Sequence, residues 1–522
     1  MLSRENREKA KALYLDEGLS VREVLNHFTS KDDMRKEVRG YLRTLRENRS
    51  FGQVEPNKEG DRTGAGKYLL TCAQNNTKLH KPFWRNLLAF KDHIGAELHV
   101  SRFSYDTNAR MTEHKPGTAK PQKFTWYPKE IEPYVSDDKI RLAPDLLWAG
   151  QINTLPTATR PLSAFESYVG SGSGIFPHAK HTMDSLPRMP TEPPRFNYTT
   201  GTVTQIHYIQ RKAGQKAEFH HIYGAALVEV NEEGQWWVRQ INASADGSFQ
   251  DLDRFVSRGV VHTGRRAEAI VFGDLHQDVM DEENAQACWG KDGLVERLHP
   301  RRQVFHDALD MRRRSHHTKK DTIRLFELWR DGKESVQYEI EKLANFLEER
   351  AYSNGGEIVV VDSNHDRSMH RWLEESIPAT DPVNAKVWLD LNSAVYDALD
   401  RRDDGFHLLE YACRKAGCPA RVRFLREDES YVIHDVEHGL HGDRGPNGAR
   451  GTVLGLLKMG GKISMGHVHS AQILDGVFVA GTSSKIRLDY TRGPTSWSHS
   501  HIVQYPNGKR AIITVRDGKA WG

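Results

Sequence analysis

The sequence predicts an α/β protein whose chemistry lies in its C-terminal half, and three observations lead there. Short apolar runs near 269–272, 357–361 and 462–465 each end in polar residues of metal-ligand type. Helix-like stretches, notably 318–350, separate them. A 522-residue chain also exceeds what one hydrophobic core organises. The division expected is a small helical unit over 1–50, a linker over 51–66, a mixed α/β region over 67–262, and an α/β unit over 263–522.

Residues 4–47 read as short helices. Lys9, Ala10, Leu13 and Tyr14 lie in the first, which Gly18-Leu-Ser20 ends. Ser20 with Glu23 makes a capping box for a second helix carrying Val21, Val24, Leu25 and Phe28. Ser30 caps a third that runs towards Arg46. Met34, Val38, Leu42 and Leu45 form its apolar face, with Arg35, Arg39, Arg43 and Arg46 as a cationic stripe alongside. The stretch Glu-Gly-Leu-Ser-Val-Arg-Glu-Val (17–24) resembles the core of helix-turn-helix proteins, which implies DNA contact by the third helix. A solvated bundle used for self-association is the alternative.

Residues 50–66 are polar and glycine-rich. Gly64-Ala-Gly66-Lys67 is not a phosphate-binding loop, because Asp61 and Tyr68 stand where that loop needs Gly and Ser or Thr. From Lys67 the pattern is strand (68–72), helix (83–93), Gly95 and strand (96–100). Pro- and Gly-rich loops follow over 154–196, then β-type segments near 202–210, 219–230 and 235–242. This middle region is assigned no chemistry; DNA binding or assembly is its expected role. His220-His221, Asp246, Asp251 and Asp253 are read as structural, since paired residues of a strand face opposite sides.

Hydrophobic residues at 38% and charged residues at 28% describe a soluble globular chain. No apolar run approaches the ~20 residues of a membrane-spanning helix, so no membrane partner is expected. No apolar segment follows the charged start, so no secretory signal is read. The four cysteines form neither a zinc ribbon nor a disulfide scaffold, which fits a reducing cytoplasm. Net charge of +4 announces no nucleic-acid binder by itself, and the 26 histidines are the unusual feature.

The histidines recur where strands end. Gly273-Asp274-Leu275-His276 delivers Asp and His together at a strand's C-terminal end, the edge where open α/β sheets place their sites. Val304-Phe-His306-Asp307-Ala-Leu-Asp310 follows, then Ser363-Asn364-His365-Asp366, then His438-Gly-Leu-His441-Gly442-Asp443, then Gly466-His467-Val468-His469. Carboxylate, imidazole and amide donors without thiolate suit Mn²⁺, Fe or Zn²⁺. Paired cations acidify a shared water and clamp phosphoryl oxygens during in-line displacement.

The order Asp-x-His, Asp-x-x-Asp, Asn-His-Asp, His, Gly-His-x-His over 268–485 resembles the calcineurin-like metallophosphoesterases, Mre11-type nucleases in particular. That resemblance implies a β-sandwich flanked by helices over 263–522. It implies two divalent metal ions, Mn²⁺ first, with Fe, Zn²⁺ or Mg²⁺ as alternatives. Asp274, His276 and His469 would hold one ion and Asn364, His441 and His467 the other, with Asp307 bridging. His365 would stabilise or protonate the leaving oxygen, oriented by Asp366. The chain departs from the family at His306 and Ser363, where glycines are usual. His438 and His441 compete for one ligand place, and the Gly442-Asp-Arg-Gly445 turn favours His441.

Substrate is a separate question. Arg301, Arg302, Arg312, Arg313, Arg314, Lys319 and Lys320, with His316 and His317 among them, form a basic belt around Asp307 that suits a phosphate backbone. The whole chain also resembles phage-encoded metallophosphoesterases, including the early DNA-degradation nucleases of T5-like phages. This implies a DNase acting on host DNA in an infected bacterial cytoplasm, and a homo-oligomer. The alternatives are a small-substrate phosphodiesterase or nucleotidase with a walled pocket, and a non-catalytic DNA-binding regulator with an inert phosphoesterase domain.

Overall fold

The computed structural model describes residues 3–13, 21–28, 32–50, 64–105, 126–315, 321–353, 356–488 and 491–522. The C-terminal half is built on a six-stranded sheet in the order Val422–Phe424, Glu357–Val360, Arg302–Phe305, Ala269–Val271, Ser500–Gln504, Arg510–Thr514. The first four strands run parallel, Ser500–Gln504 runs against them, and Arg510–Thr514 pairs antiparallel with it. Side chains alternate between its two faces. Ile270, Phe272, Phe305, Ile358 and Val360 join an apolar cluster with the helices Glu282–Trp289, Val336–Ser353 and Leu408–Lys415. Ala269, Val271, Val304, Val359, Ile502 and Ile512 face a second sheet instead. Burial on both faces explains why these strands read as unbroken apolar runs.

The second sheet crosses the boundary expected at 262/263. It has ten strands. Val432–Ile433, Val436–Glu437, Lys462–Met465, Val477–Val479 and Gln472–Leu474 come from the C-terminal half. Met183–Leu186, Arg195–Thr199, Ser173–Phe176, Leu146–Ala149 and Lys139–Ala143 come from the middle region. The seam is the antiparallel pairing of Ile473 with Met183. Strands this short, set among Pro and Gly, carry too little periodicity to stand out in a sequence. Ile175, Phe196 and Tyr198 from the middle region share one apolar cluster with Val271 and Val304, so the two segments bury each other.

The rest of the middle region forms a four-stranded sheet, Glu97–Phe103, Gly66–Gln74, Gly224–Val230, Trp236–Asn242, and a small antiparallel sheet of Phe249–Asp251, Arg254–Ser257 and Val260–His262. The first pair of the larger sheet is parallel, and helix Lys81–Ile94 makes the crossover, ended by Gly95 at φ 67°. The expected strand at 202–210 forms isolated bridges through Thr202 and Thr204 instead, and Lys212–Phe219 is helical. The aspartates here are structural. Asp251 accepts from the fully buried Arg239 at 2.7 Å, Asp253 pairs with Arg297 at 3.0 Å, and Asp246 accepts from the Ser248 N–H at 2.9 Å. His221 bridges the Tyr208 hydroxyl and the Thr204 carbonyl.

At the N-terminus, helices Arg4–Lys11, Val21–Asn26 and Asp32–Ser50 bury Ala10, Val24, Leu25, Phe28, Val38 and Leu42 together. The Ser20–Glu23 capping box, Ser30, and the side chains of Arg43, Leu45 and Arg46 lie outside the described residues. The helical stretch at 318–350 is two helices, Thr322–Arg330 and Val336–Ser353, broken near Gly332 at φ 65°. Among the described residues no helix is long and apolar enough to cross a membrane. All four cysteines are free and buried.

Gly481 shows how tightly the sheets close beneath the site. Its N–H donates to the Ser500 carbonyl at 2.8 Å and its carbonyl accepts from the Asp274 N–H at 3.2 Å. A Cβ there would stand 1.9 Å from the Ser498 carbonyl oxygen. Gly481→Ala is expected to destabilise the protein by about 1–3 kcal/mol or more, read as a lower urea midpoint. An unchanged midpoint would mean that the paired strand can move aside.

Candidate metal centre

The donor residues sit where strands of both sheets end. Asp274 and His276 follow Ala269–Val271, Asp307 follows Arg302–Phe305, Asn364 and His365 follow Glu357–Val360, and His467 and His469 follow Lys462–Met465. The chain turns sharply there: His276, Asp307, His467 and His469 adopt left-handed backbone at φ 40°, 42°, 71° and 59°. Such conformations are unfavourable for residues with a Cβ and persist only where the surroundings enforce them.

Those surroundings are visible. The Ser483 N–H and the Thr482 hydroxyl donate to the Asp274 carbonyl at 2.8 and 3.1 Å. The Gly273 N–H donates to Nδ1 of His501 at 3.0 Å, and Nε2 of His501 lies 3.0 Å from Oδ1 of Asn284. Burial pushes His501 down to about 3, so it stays neutral and keeps an acceptor nitrogen for Gly273. The His276 N–H donates to the Asp307 carbonyl at 2.8 Å, and the Asp307 N–H to Oγ of Ser363 at 3.0 Å. Serine at 363, where the resemblance leads one to expect glycine, thus supplies a hydrogen bond that glycine cannot. His306, also at a glycine place, is fully buried beside His441, with ring centroids 5.6 Å apart. Burial and the neighbouring His441 lower it to about 4.

Two groups of donors meet at Asp307. Asp274, His276, Asp307 and His469 are all buried and offer ligand atoms within 4.8 Å of one another. Within this group Nε2 of His469 lies 2.9 Å from Oδ2 of Asp274 and 3.1 Å from Nε2 of His276. In the other group, Oδ1 of Asn364 lies 2.8 Å from Nε2 of His441 and 3.2 Å from Nδ1 of His467. Nε2 of His441 lies 3.2 Å from Oδ2 of Asp307. Asn364, His365 and His467 are half-buried, so the site opens to solvent on that side. His438 is elsewhere, fully buried with Nε2 2.6 Å from Oε1 of Gln504, so geometry places His441 and not His438 in the site.

The donors suit a hard or borderline divalent cation. Oδ1 of Asp274 and Nδ1 of His441 and of His469 are buried without a hydrogen-bond partner. An unpaired carboxylate oxygen away from water is costly unless a cation compensates it. Gly466 is also required, since a Cβ there would stand 2.0 Å from that same Asp274 oxygen. Burial opposes ionisation of Asp274, yet His469 and His441 hold it below the usual carboxylate range; Asp307 is held far lower by His441 and His365.

His365 is held by Asp310 and not, as adjacency in the chain suggests, by Asp366. Oδ1 of Asp310 lies 2.9 Å from Nδ1 of His365 and 3.0 Å from Nδ1 of His276. One carboxylate therefore fixes both rings and leaves Nε2 of His276 turned towards the centre, as outer carboxylates do for metal-ligating histidines. Asp366 accepts from the Leu309 N–H at 2.8 Å, and its other oxygen is buried without a partner. Burial, reinforced by Asp307, pushes Asp366 well above the usual carboxylate range, and its hydrogen bond from the Leu309 N–H braces the 307–310 loop. The only hint of Asp310 in the sequence is its spacing from Asp307; His501, inside a strand far along the chain, leaves none.

The arginine belt is largely occupied. Arg313 is 3% exposed and pairs with Asp278 at 2.9 Å and Glu339 at 3.9 Å. Arg314 pairs with Asp381 at 2.6 Å and Glu334 at 3.3 Å. Arg302 and Arg301 are drawn to Glu268. These pairings share a cause: carboxylates from distant segments face the arginines, and sequence order does not reveal them. Arg312 approaches Asp310 at 3.9 Å. Lys319, Lys320, His316 and His317 lie outside the described residues. In the N-terminal helices Arg35 donates to Oδ1 of Asn26 at 3.1 Å, while Arg39 is exposed.

Among known proteins, protein A1 of Escherichia phage T5 is 36% identical over 470 residues, covering 87% of this chain and 82% of that protein. No family model and no solved structure matches.

His441 couples the site to pH. Burial opposes its protonation, but Asp307 and Asp274 outweigh this and raise it to about 9. A ligating nitrogen must shed its proton. Affinity for Mn²⁺ is therefore expected to rise with pH between 6.5 and about 9, with proton release measurable by calorimetry in buffers of different ionisation enthalpy. A flat profile would count against His441 as a ligand.

Proposed function

The chain belongs to the family of the Escherichia phage T5 protein A1, and from that premise we propose that it is a metal-dependent phosphodiesterase of the calcineurin-like type that cuts DNA. The observation that carries the reading is the sharing of Asp307 between two donor groups, with a histidine held beside them. Asp274, His276 and His469 would hold one divalent ion, and Asn364, His441 and His467 a second, with Asp307 common to both. Such ions supply Lewis-acid polarisation of phosphoryl oxygens and acidification of water.

The chain's own residues do the rest. Burial opposes protonation of His365, but in the metal-free site Asp307 and Asp310 outweigh it and raise it to about 10, and the contact with Asp310 goes on favouring the protonated ring when cations occupy Asp307. A half-buried imidazolium can give that proton to the oxygen leaving phosphorus. Asp310 fixes the ring through Nδ1 and so aims Nε2 outward. DNA as substrate is supported by the exposed Arg39 on the third N-terminal helix, by Arg312 beside Asp310, and by the sequence resemblance to phage nucleases. A small phosphodiester is favoured by one feature alone, the internal pairing of Arg313 and Arg314.

With Mn²⁺ and linear, circular and single-stranded DNA, the wild type is expected to degrade DNA on gels. His365→Ala should lower kcat by about 10²–10⁴-fold, and Asp307→Ala should lose both metal and cleavage. Asp310→Asn should cost more activity than Asp366→Asn if Asp310 orients His365. Hydrolysis of an aryl phosphodiester with no action on DNA would sink the nuclease reading and leave the phosphodiesterase one standing.

A further inference from the structure

Strand Lys462–Met465 leads to His467 at one end and borders a separate cavity of about 610 Å³ at the other. The cavity opens between helix Lys212–Phe219, the Asp475-Gly476 turn and the Gly508-Lys509-Arg510 turn. None of its lining residues belongs to the metal centre. Its cations are Lys180, Lys216, Lys462, Lys509 and Arg510. Lys180 pairs with Asp475 at 3.0 Å, and Lys462 with Asp435. Lys216, Lys509 and Arg510 have no carboxylate partner among the described residues.

Arg510 is the unusual one, 4% exposed and in no ion pair among the described residues, with Asp435 acting on it only at longer range. Its guanidinium donates to the Ile463 and Gly476 carbonyls and to the Ser464 hydroxyl, and lies 4.1 Å from the centroid of the Phe478 ring. Burial lowers both Lys509 and Arg510, the latter to about 9. Five cations set against the carboxylates of Asp475 and Asp435 leave the recess positive, which favours entry of an anion. Phe219, 79% exposed at the rim, offers a face on which a planar ring can stack. The volume falls within the range of small-molecule sites.

We propose that this cavity is a second binding site, distinct from the metal centre, for a small phosphorylated anion of mononucleotide size. Lys509 and Lys216 would meet the phosphate, Arg510 would add its charge from behind, and Phe219 would meet the base. The proposal does not depend on the phosphoesterase reading.

The test is calorimetry on the full chain in chelator, so that no metal captures phosphate, with 5′-dAMP and inorganic phosphate as separate probes. 5′-dAMP is expected to bind, and inorganic phosphate more weakly. Lys509→Gln and Lys216→Gln, at half-buried and exposed positions where folding survives, should each weaken 5′-dAMP binding by about tenfold or more. Phe219→Ala should bring 5′-dAMP down to the level of phosphate, and His469→Ala should leave binding intact. No heat from either probe would overturn the proposal. So would binding that ignores both lysine variants or disappears in His469→Ala, and phosphate binding as tight as 5′-dAMP would overturn the nucleotide class.

Discussion

A carboxylate that is almost sealed from water organises this site. Asp307 is 1% exposed, and the loops that bring His276, His365 and His441 close on it, while the 467–469 loop closes on Asp274. The His365 N–H donates to its Oδ1 at 3.1 Å, Nε2 of His441 stands 3.2 Å from its Oδ2, and its carbonyl accepts from the His276 N–H. Its own N–H is taken by Ser363. A buried charge is tolerated only when its surroundings compensate it, and here the compensating groups come from strands that are far apart in sequence. The three loops on Asp307 cannot relax independently, because each would strip a partner from the same residue.

That coupling explains how the strained backbone survives. Each non-glycine residue in left-handed conformation costs about 1–3 kcal/mol, and His276, Asp307, His467 and His469 all adopt it. Their loops are short, so an extended path would carry the side chains past the centre. The His467 N–H donates to Oδ2 of Asp274 at 2.7 Å, so the left-handed turn at 467 also serves the carboxylate on the neighbouring sheet. Strain and charge compensation are two sides of one packing solution.

Much of this was legible in the sequence because ligating chemistry is local: Asp274 with His276, and His467 with His469, are pairs that one strand end can deliver. The convergence of Asn364 and His441 followed from motif order, and geometry separated His441 from His438 only once Gln504 was seen beside the latter. What stayed hidden was relational. Asp366 looked like the partner of His365 because it is next in the chain, but a helical turn at 363–368 carries it to the Leu309 N–H, and Asp310 arrives from another strand. The ten-stranded sheet was hidden for a similar reason: Met183 and Ile473 pair across a sequence distance that no local pattern encodes.

The arginines after Asp307 show the same logic carried into electrostatics. Behind Asp310 lies a second layer of carboxylates, Asp278 and Glu339, and burial with those neighbours pushes Glu339 up to about 8. Arg313 sits between Asp278 and Glu339, while Arg312 approaches Asp310 itself. Burial opposes ionisation of Asp310, but His276 and His365 hold it below the usual carboxylate range, so the carboxylate and the two rings fix one another. In the proposed reaction a phosphate would therefore be met at the open face by the half-buried Asn364, His365 and His467, and not by Arg313 or Arg314, whose charges are taken by carboxylates.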